Sequence, residues 1–193
     1  MDVAKRAQKK EFFMWYAVQT LTGREKVILG MMEKNIEHSC YRECFFIRRE
    51  CAIKREGVWE ITEAPLFPGY VFVDTDNPEE YYRQLKRVPK LTKLLRTEEG
   101  VFLAVSKEEQ SFLESIQSEG HLVRRSLVRL NSEKQIIDAD GAVGLYLDDI
   151  VKQRLRKRFV LIQKRFLGKE RRILLGIKLS GDREEEGEHG IQD

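Results

Sequence analysis

Ala64-Pro65-Leu66-Phe67-Pro68-Gly69-Tyr70-Val71-Phe72-Val73-Asp74 holds the key to the fold. Two prolines bracket Leu66-Phe67, fixing φ and removing ladder donors, so those side chains ride on stiff extended backbone. Gly69 then releases the chain into a strand over 70–74. Alternation puts Tyr70, Phe72 and Asp74 on one face and Val71 and Val73 on the other. With the valines facing a core, two rings are left on the far side. Such an exposed aromatic pair is informative, because lone solvent-facing apolar residues are common and clusters are not.

Upstream, Phe13-Met14-Trp15-Tyr16-Ala17-Val18-Gln19-Thr20 reads as a buried strand. Gly23 opens a helical segment reaching about Asn35, with Val27, Ile28, Met31 and Met32 as its apolar stripe and Arg24, Glu25, Lys26, Glu33 and Lys34 opposite. Cys44–Arg55 reads as a strand that turns at Arg55-Glu56-Gly57 and returns over Val58–Thr62. Downstream, Asn77-Pro78-Glu79-Glu80 starts a helix that runs to about Val88 and stops at Pro89. Leu91–Arg96 follows as a short strand, and Ser106-Lys107-Glu108-Glu109 is a capping box opening a helix striped with Phe112, Leu113 and Ile116. The order β-α-β-β-β-α-β-α implies an α/β sandwich whose helices cover one side of one sheet.

Gln117–Gln135 is mixed and polar and reads as a linker, with Leu127-Val128-Arg129-Leu130 as an alternative strand. Beyond it only short strands appear. Asp138–Gly144 carries turn residues, while Val151–Leu155, Phe159–Phe166 and Arg171–Leu179 are strand-like, the last two joined at Gly168-Lys169. Such a pattern suggests a small β-barrel. The expected chain is therefore α+β: an α/β domain over 12–117, a linker over 118–134, a barrel over 135–180 and an acidic tail over 181–193.

The 193 residues carry 35 Lys+Arg against 32 Asp+Glu, but the small net charge of +3 hides an asymmetry. Residues 121–180 hold 15 basic against 6 acidic side chains, +9, whereas 181–193 hold one against six. A solvated basic face is the bland reading. A crowded, Arg-rich segment is the footprint of a polyanion binder. Its candidate contacts are Lys152, Arg154, Arg156, Lys157, Arg158, Lys164, Arg165, Lys169, Arg171 and Arg172. Alternation sends Lys152, Arg154 and Arg156 to one face, with Val151 and Leu155 toward the core. Aromatics are few there (Tyr146, Phe159 and Phe166), which favours a structured, phosphate-rich target such as an RNA hairpin over a bare single strand. The tail has nothing apolar to bury over Asp182–Gly190 and is expected to be disordered.

No apolar run approaches the ~20 residues needed to span a bilayer, and the basic Met1–Lys10 is not followed by a signal-peptide core. Three cysteines cannot all pair, which points to free thiols and a cytoplasmic location. His38-x-Cys40-x3-Cys44-x6-Cys51 invites a zinc reading, but Cys44 and Cys51 at the two ends of one strand would lie roughly 23 Å apart. A cysteine nucleophile would need His38, His121 or His189 as its base, and all three sit in polar surroundings. No Gly-rich phosphate loop, HExxH or GxSxG occurs. No catalytic residue, metal or cofactor is expected. An enzyme built on Cys40, Cys44 and Cys51 remains the competing class.

Both halves resemble the NusG family of transcription elongation factors. Trp15–Thr20 with Gly23 and Glu25-Lys26 is similar to the opening of its N-terminal domain, Phe67-Pro68-Gly69-Tyr70-Val71-Phe72-Val73 to its most recognisable motif, and Val88-Pro89 to the loop after its second helix. The resemblance implies an RNP-like NGN domain that binds the clamp helices of RNA polymerase through an apolar patch. That patch maps to Gln19, Phe67, Tyr70 and Phe72. Tyr82-Arg83-Gln84, near the segment of specialised members that contacts the polymerase gate loop, does not match its His-Thr-Thr pattern. Asp140-Gly141-Ala142-Val143-Gly144 resembles the core of the SH3-like KOW barrel with its Pro and Phe missing. That divergence and the basicity are most like the family's LoaP branch, which implies a monomeric antiterminator engaging an RNA hairpin. Non-template DNA is a further candidate partner, with Arg24 and Lys26 as its weak basic set. The alternative is a general elongation factor whose barrel binds Rho or a ribosomal protein.

Overall fold

Antiparallel pairing of β1 (Trp15–Gln19) with β5 (Tyr70–Asp74) organises the N-terminal half. In the computed structural model, which describes residues 14–88, 93–97, 100–182 and 184–185, Val18 lies opposite Val71 and Ala17 opposite Phe72. β2 (Glu43–Phe45) and β6 (Lys93–Leu94) complete the sheet in the order β2-β5-β1-β6. Val18, Val71 and Val73 pack against Ile28 and Met32 of α1 (Glu25–Asn35) and Tyr81 and Leu85 of α2 (Pro78–Leu85). Asn77 accepts the Glu80 amide at 3.1 Å to cap α2, and Pro78 occupies its first turn.

Two readings of α1 need correction. Val27 is exposed, so the stripe narrows to Ile28, Met31 and Met32. Glu25, expected on the solvent face, is buried, because its carboxylate accepts the Gly69 amide at 2.6 Å. Gly69 has φ +82°, and a Cβ there would stand 3.0 Å from the Thr20 carbonyl oxygen. The turn therefore requires glycine. One buried carboxylate pins it to the start of the helix.

The opposite face of the sheet is also covered. α3 (Lys107–Ile116), opened by the Ser106–Glu109 capping box, places Leu113 and Ile116 in the cluster that holds Trp15, Ala17 and Phe72. The strand expected over Cys44–Arg55 is broken, with Ile47 turned inward between β2 and β3 (Arg48–Arg55). β3 pairs with β4 (Val58–Pro65) around Glu56 and Gly57, both at positive φ. This hairpin forms its own sheet, in the order β13 (Glu184–Glu185), β4, β3, β7 (Leu122–Val123).

In the stretch expected as a linker lie β7 (Leu122–Val123), which joins β3, and β8 (Ser126–Leu130). β8 pairs in parallel with β12 (Lys169–Lys178) and antiparallel with β9 (Ile136–Ala139). The short α4 (Gly141–Gly144) follows β9, and β10 (Ile150–Arg154) and β11 (Phe159–Phe166) complete the order β10-β11-β12-β8-β9. Val151, expected in the core, is exposed, because the β10–β11 register shifts between Ile150 and Lys152. A bulge of this kind turns its extra residue outward. Of the tail, Glu184–Glu185 form β13 on the open edge of β4, with Glu184 opposite Trp59. Backbone pairing on an edge needs no apolar side chain. The rest of the expected tail, 183 and 186–193, lies outside the described residues, as do Met1–Lys10, Pro89 and Leu91.

Among the described residues no helix is long and apolar enough to cross a membrane.

Candidate functional site

The four residues expected to form a polymerase patch come from three places. Gln19 ends β1 and is exposed, Phe67 sits on the proline-bracketed segment, and Tyr70 and Phe72 lie on β5. As alternation requires, Phe72 points away from the valines. It is not left in water. Phe166 at the end of β11 stacks on Phe67 at 4.4 Å and 18°, and meets Phe72 edge-on at 6.1 Å. Phe67 and Phe72 are buried, and Tyr70 is half-buried. Burying each ring contributes roughly 1.5–3 kcal/mol, and each ring pair ~0.5–1.5 kcal/mol more.

Polar ties lock the same junction. The Arg171 guanidinium donates to the Tyr70 hydroxyl at 3.0 Å and lies 5.0 Å from its ring. Glu109 accepts the Ser106 amide with one carboxylate oxygen and the Leu167 amide, at 2.6 Å, with the other. The capping box that opens α3 therefore also holds the β11–β12 turn. Gly176 of β12 abuts β3, where an added Cβ would lie 2.5 Å from the Glu50 carbonyl oxygen.

Of the ten cations expected to bind RNA, three are engaged within the fold. Arg158 donates to Asp182 at 2.7 Å and lies 4.6 Å over the Trp59 ring. Burial alone would raise the Asp182 carboxyl, but hydrogen bonds from Arg158 and the Leu179 amide hold it below its ordinary range. Lys164 pairs with Asp149 at 2.5 Å and caps Tyr146 at 4.3 Å. Arg171 serves the Tyr70 contact.

Exposed cations gather on the outer face of the barrel sheet. Lys152 lies opposite Leu161, Arg154 opposite Phe159, Arg172 opposite Gln163, and Arg165 opposite Glu170. Antiparallel partners share a face, so these four cations lie along one face of the sheet. The strand expected to carry Arg156 ends at Arg154, and Arg156 and Lys157 project from the 3₁₀ turn that follows. Lys169 is exposed at the far end of β12. Arg49, Lys54 and Trp59 of the β3–β4 hairpin, which line one cleft with Arg156 and Lys157, carried no signal in the sequence. The hairpin was legible, but not which sheet it meets.

Cys40 and Cys44 are built into the core, and Cys51 is half-buried. Cys44 shares a hydrogen bond with the Tyr81 hydroxyl at 3.2 Å, and burial pushes its pKa up to about 12. Cys40 accepts from Gln84 at 3.0 Å, and burial raises Cys51 as well. Among the described residues no cluster of three or more His, Cys, Asp or Glu could hold a metal. Since the thiolate is the reactive form, Cys44 in the native chain is expected to resist a thiol reagent at neutral pH and to react at once in denaturant. Mass spectrometry of the labelled protein reads this directly. Rapid stoichiometric labelling of native Cys44 would contradict it.

A family model described as "Transcription termination factor nusG" matches residues 13–114. The transcription termination/antitermination protein NusG of Thermus thermophilus is 28% identical over 88 residues, covering 40% of this chain and 48% of the relative. The chain thus spans about half the length of that curated relative. A solved structure titled "Domain interaction in Thermotoga maritima NusG" is similar at 17% identity and a TM-score of 0.48, over 86% of this chain and 94% of that one.

Proposed function

The chain belongs to the NusG family of transcription factors, and from that membership we propose that it is a specialised, LoaP-type antitermination factor. NusG family proteins act with RNA polymerase and are not enzymes. On this reading residues 12–117 bind the polymerase clamp helices through Gln19, Phe67, Tyr70 and Phe72. The barrel over 135–180 grips a leader RNA hairpin.

The observation that carries the proposal is the separation of the two surfaces. Lys152, Arg154, Arg165 and Arg172 share the outer face of the barrel sheet, while Phe166 on β11 points inward to cover Phe67 and Phe72. RNA can therefore reach the cations while the aromatic face is closed. Polymerase engagement requires the barrel to lift away. A guanidinium-rich face suits phosphate, which it contacts in bidentate fashion.

A gel-shift titration of the full chain against leader hairpins at about 50 and 200 mM salt tests the RNA arm, since each phosphate contact adds ~0.7–0.9 to the log–log salt slope. Binding that ignores salt, or capture of Rho or a ribosomal protein in place of RNA, would overturn it. For the polymerase arm, Phe67→Ala with Tyr70→Ala is expected to cut association with purified polymerase by at least ~30-fold, the scale of lost aromatic anchors. Hairpin affinity should stay within about two-fold, because Lys152, Arg154, Arg165 and Arg172 lie on the opposite face of the barrel sheet from Phe166. Undiminished polymerase binding by the folded double variant would remove the patch from the account.

A further inference from the structure

The outer face of the barrel sheet does not end at its own edge. It runs into a cleft of about 350 Å³ against the β3–β4 hairpin, floored by Trp59, Phe159, Leu174 and Gly176. Arg156 and Lys157 line it from the barrel, and Arg49, whose guanidinium also donates to Cys51 Sγ at 2.7 Å, and Lys54 line it from β3. Three neighbouring carboxylates are already paired: Glu50 with Arg124 at 3.4 Å, Glu60 with Arg55 at 3.0 Å, and Asp182 with Arg158. Among the described residues no acidic side chain lines the cleft.

We propose that this cleft binds the phosphate backbone of a single RNA strand, the flank leaving the hairpin stem, and that both halves of the chain build it. The inference rests on the RNA-binding reading above and extends it to two N-terminal cations. Four cations drawn from both halves, with no lining carboxylate among the described residues, match a polyanion in charge. A volume at the small end of the ~300–1,000 Å³ ligand range admits a nucleotide of one strand and excludes a duplex. Trp59 is buried beneath Arg158, so its ring is closed to base stacking. The contact is to phosphate and independent of sequence. Because its walls come from different halves, the groove exists only while they are docked.

The test uses the full chain and two probes, a stem-loop RNA with a short oligouridine flank and the same stem-loop trimmed flush. Binding is followed by fluorescence anisotropy between about 50 and 200 mM salt. Arg49→Ala with Lys54→Ala is expected to weaken the flanked RNA about ten-fold and to lower its salt slope by ~1.4, two single-strand contacts. The flush stem-loop should bind the variant as it binds the unaltered chain. A second variant, Gly176→Ala, separates the walls without removing a charge and should erase the same flank preference. Equal loss on both probes, or no loss on either, overturns the cleft while leaving hairpin binding in place. If the unaltered chain binds neither probe, the RNA-binding reading falls and the cleft with it.

Discussion

Gly176→Ala is expected to raise association with RNA polymerase by about 5- to 150-fold. A Cβ at this position would stand 2.5 Å from the Glu50 carbonyl oxygen and 2.7 Å from Cγ of Arg125. The first of these is backbone on β3 and cannot swing aside. Overpacking of this kind costs ~1–3 kcal/mol, which is the quoted range as a shift between closed and open forms. The barrel itself has no objection. Gly176 lies in β12 opposite Phe159, and alanine suits a strand interior better than glycine. The wedge thus acts on docking rather than folding, and what it releases is the aromatic face over Phe67 and Phe72. A partner that binds only the open form gains affinity in proportion to the open fraction. Titration of the variant with purified polymerase measures the gain. A variant that opens but binds no better would show that polymerase does not use this face.

Arg154→Glu with Arg172→Glu is expected to weaken hairpin RNA on the order of 100-fold near 0.1 M salt and to lower the salt slope by ~1.4–1.8. Both side chains are exposed on the outer face of the barrel sheet. Neither carries a tie to the N-terminal half, so closure and polymerase association should be unchanged. The same reversal at Arg158 or Lys164 would give no such clean reading. Those cations hold Asp182 and Asp149, and their loss would leave a carboxylate unpaired. An RNA affinity that survives the double reversal would move the RNA contact off this face.

The sequence made the local structure legible wherever a residue dictates its own backbone. Glu56-Gly57 fixed the hairpin, Asn77-Pro78 the start of α2, and Ser106 with Glu109 the capping box. Alternation over Tyr70–Asp74 correctly separated Val71 and Val73 from Phe72. What covers the far face could not be read there. Phe166 is remote in the chain, and periodicity says which side a ring is on, not what lies against it. Val151 misled because one bulge reverses the alternation after Ile150. Glu25 misled because the amide it serves belongs to Gly69, outside its own helix. The ten cations were legible as a group from charge density alone. That Arg158, Lys164 and Arg171 are held within the fold depends on Asp182, Asp149 and Tyr70, partners that composition cannot assign.

Hydrogen–deuterium exchange of the full chain with and without polymerase addresses the hidden aromatic face most directly. The Leu167 amide, held by Glu109 at 2.6 Å, reports on closure. On binding it should lose protection as the barrel lifts, while amides of the Tyr70–Asp74 strand stay protected. A complex that forms with Leu167 as protected as before would mean that polymerase docks elsewhere and that the covered face plays no part.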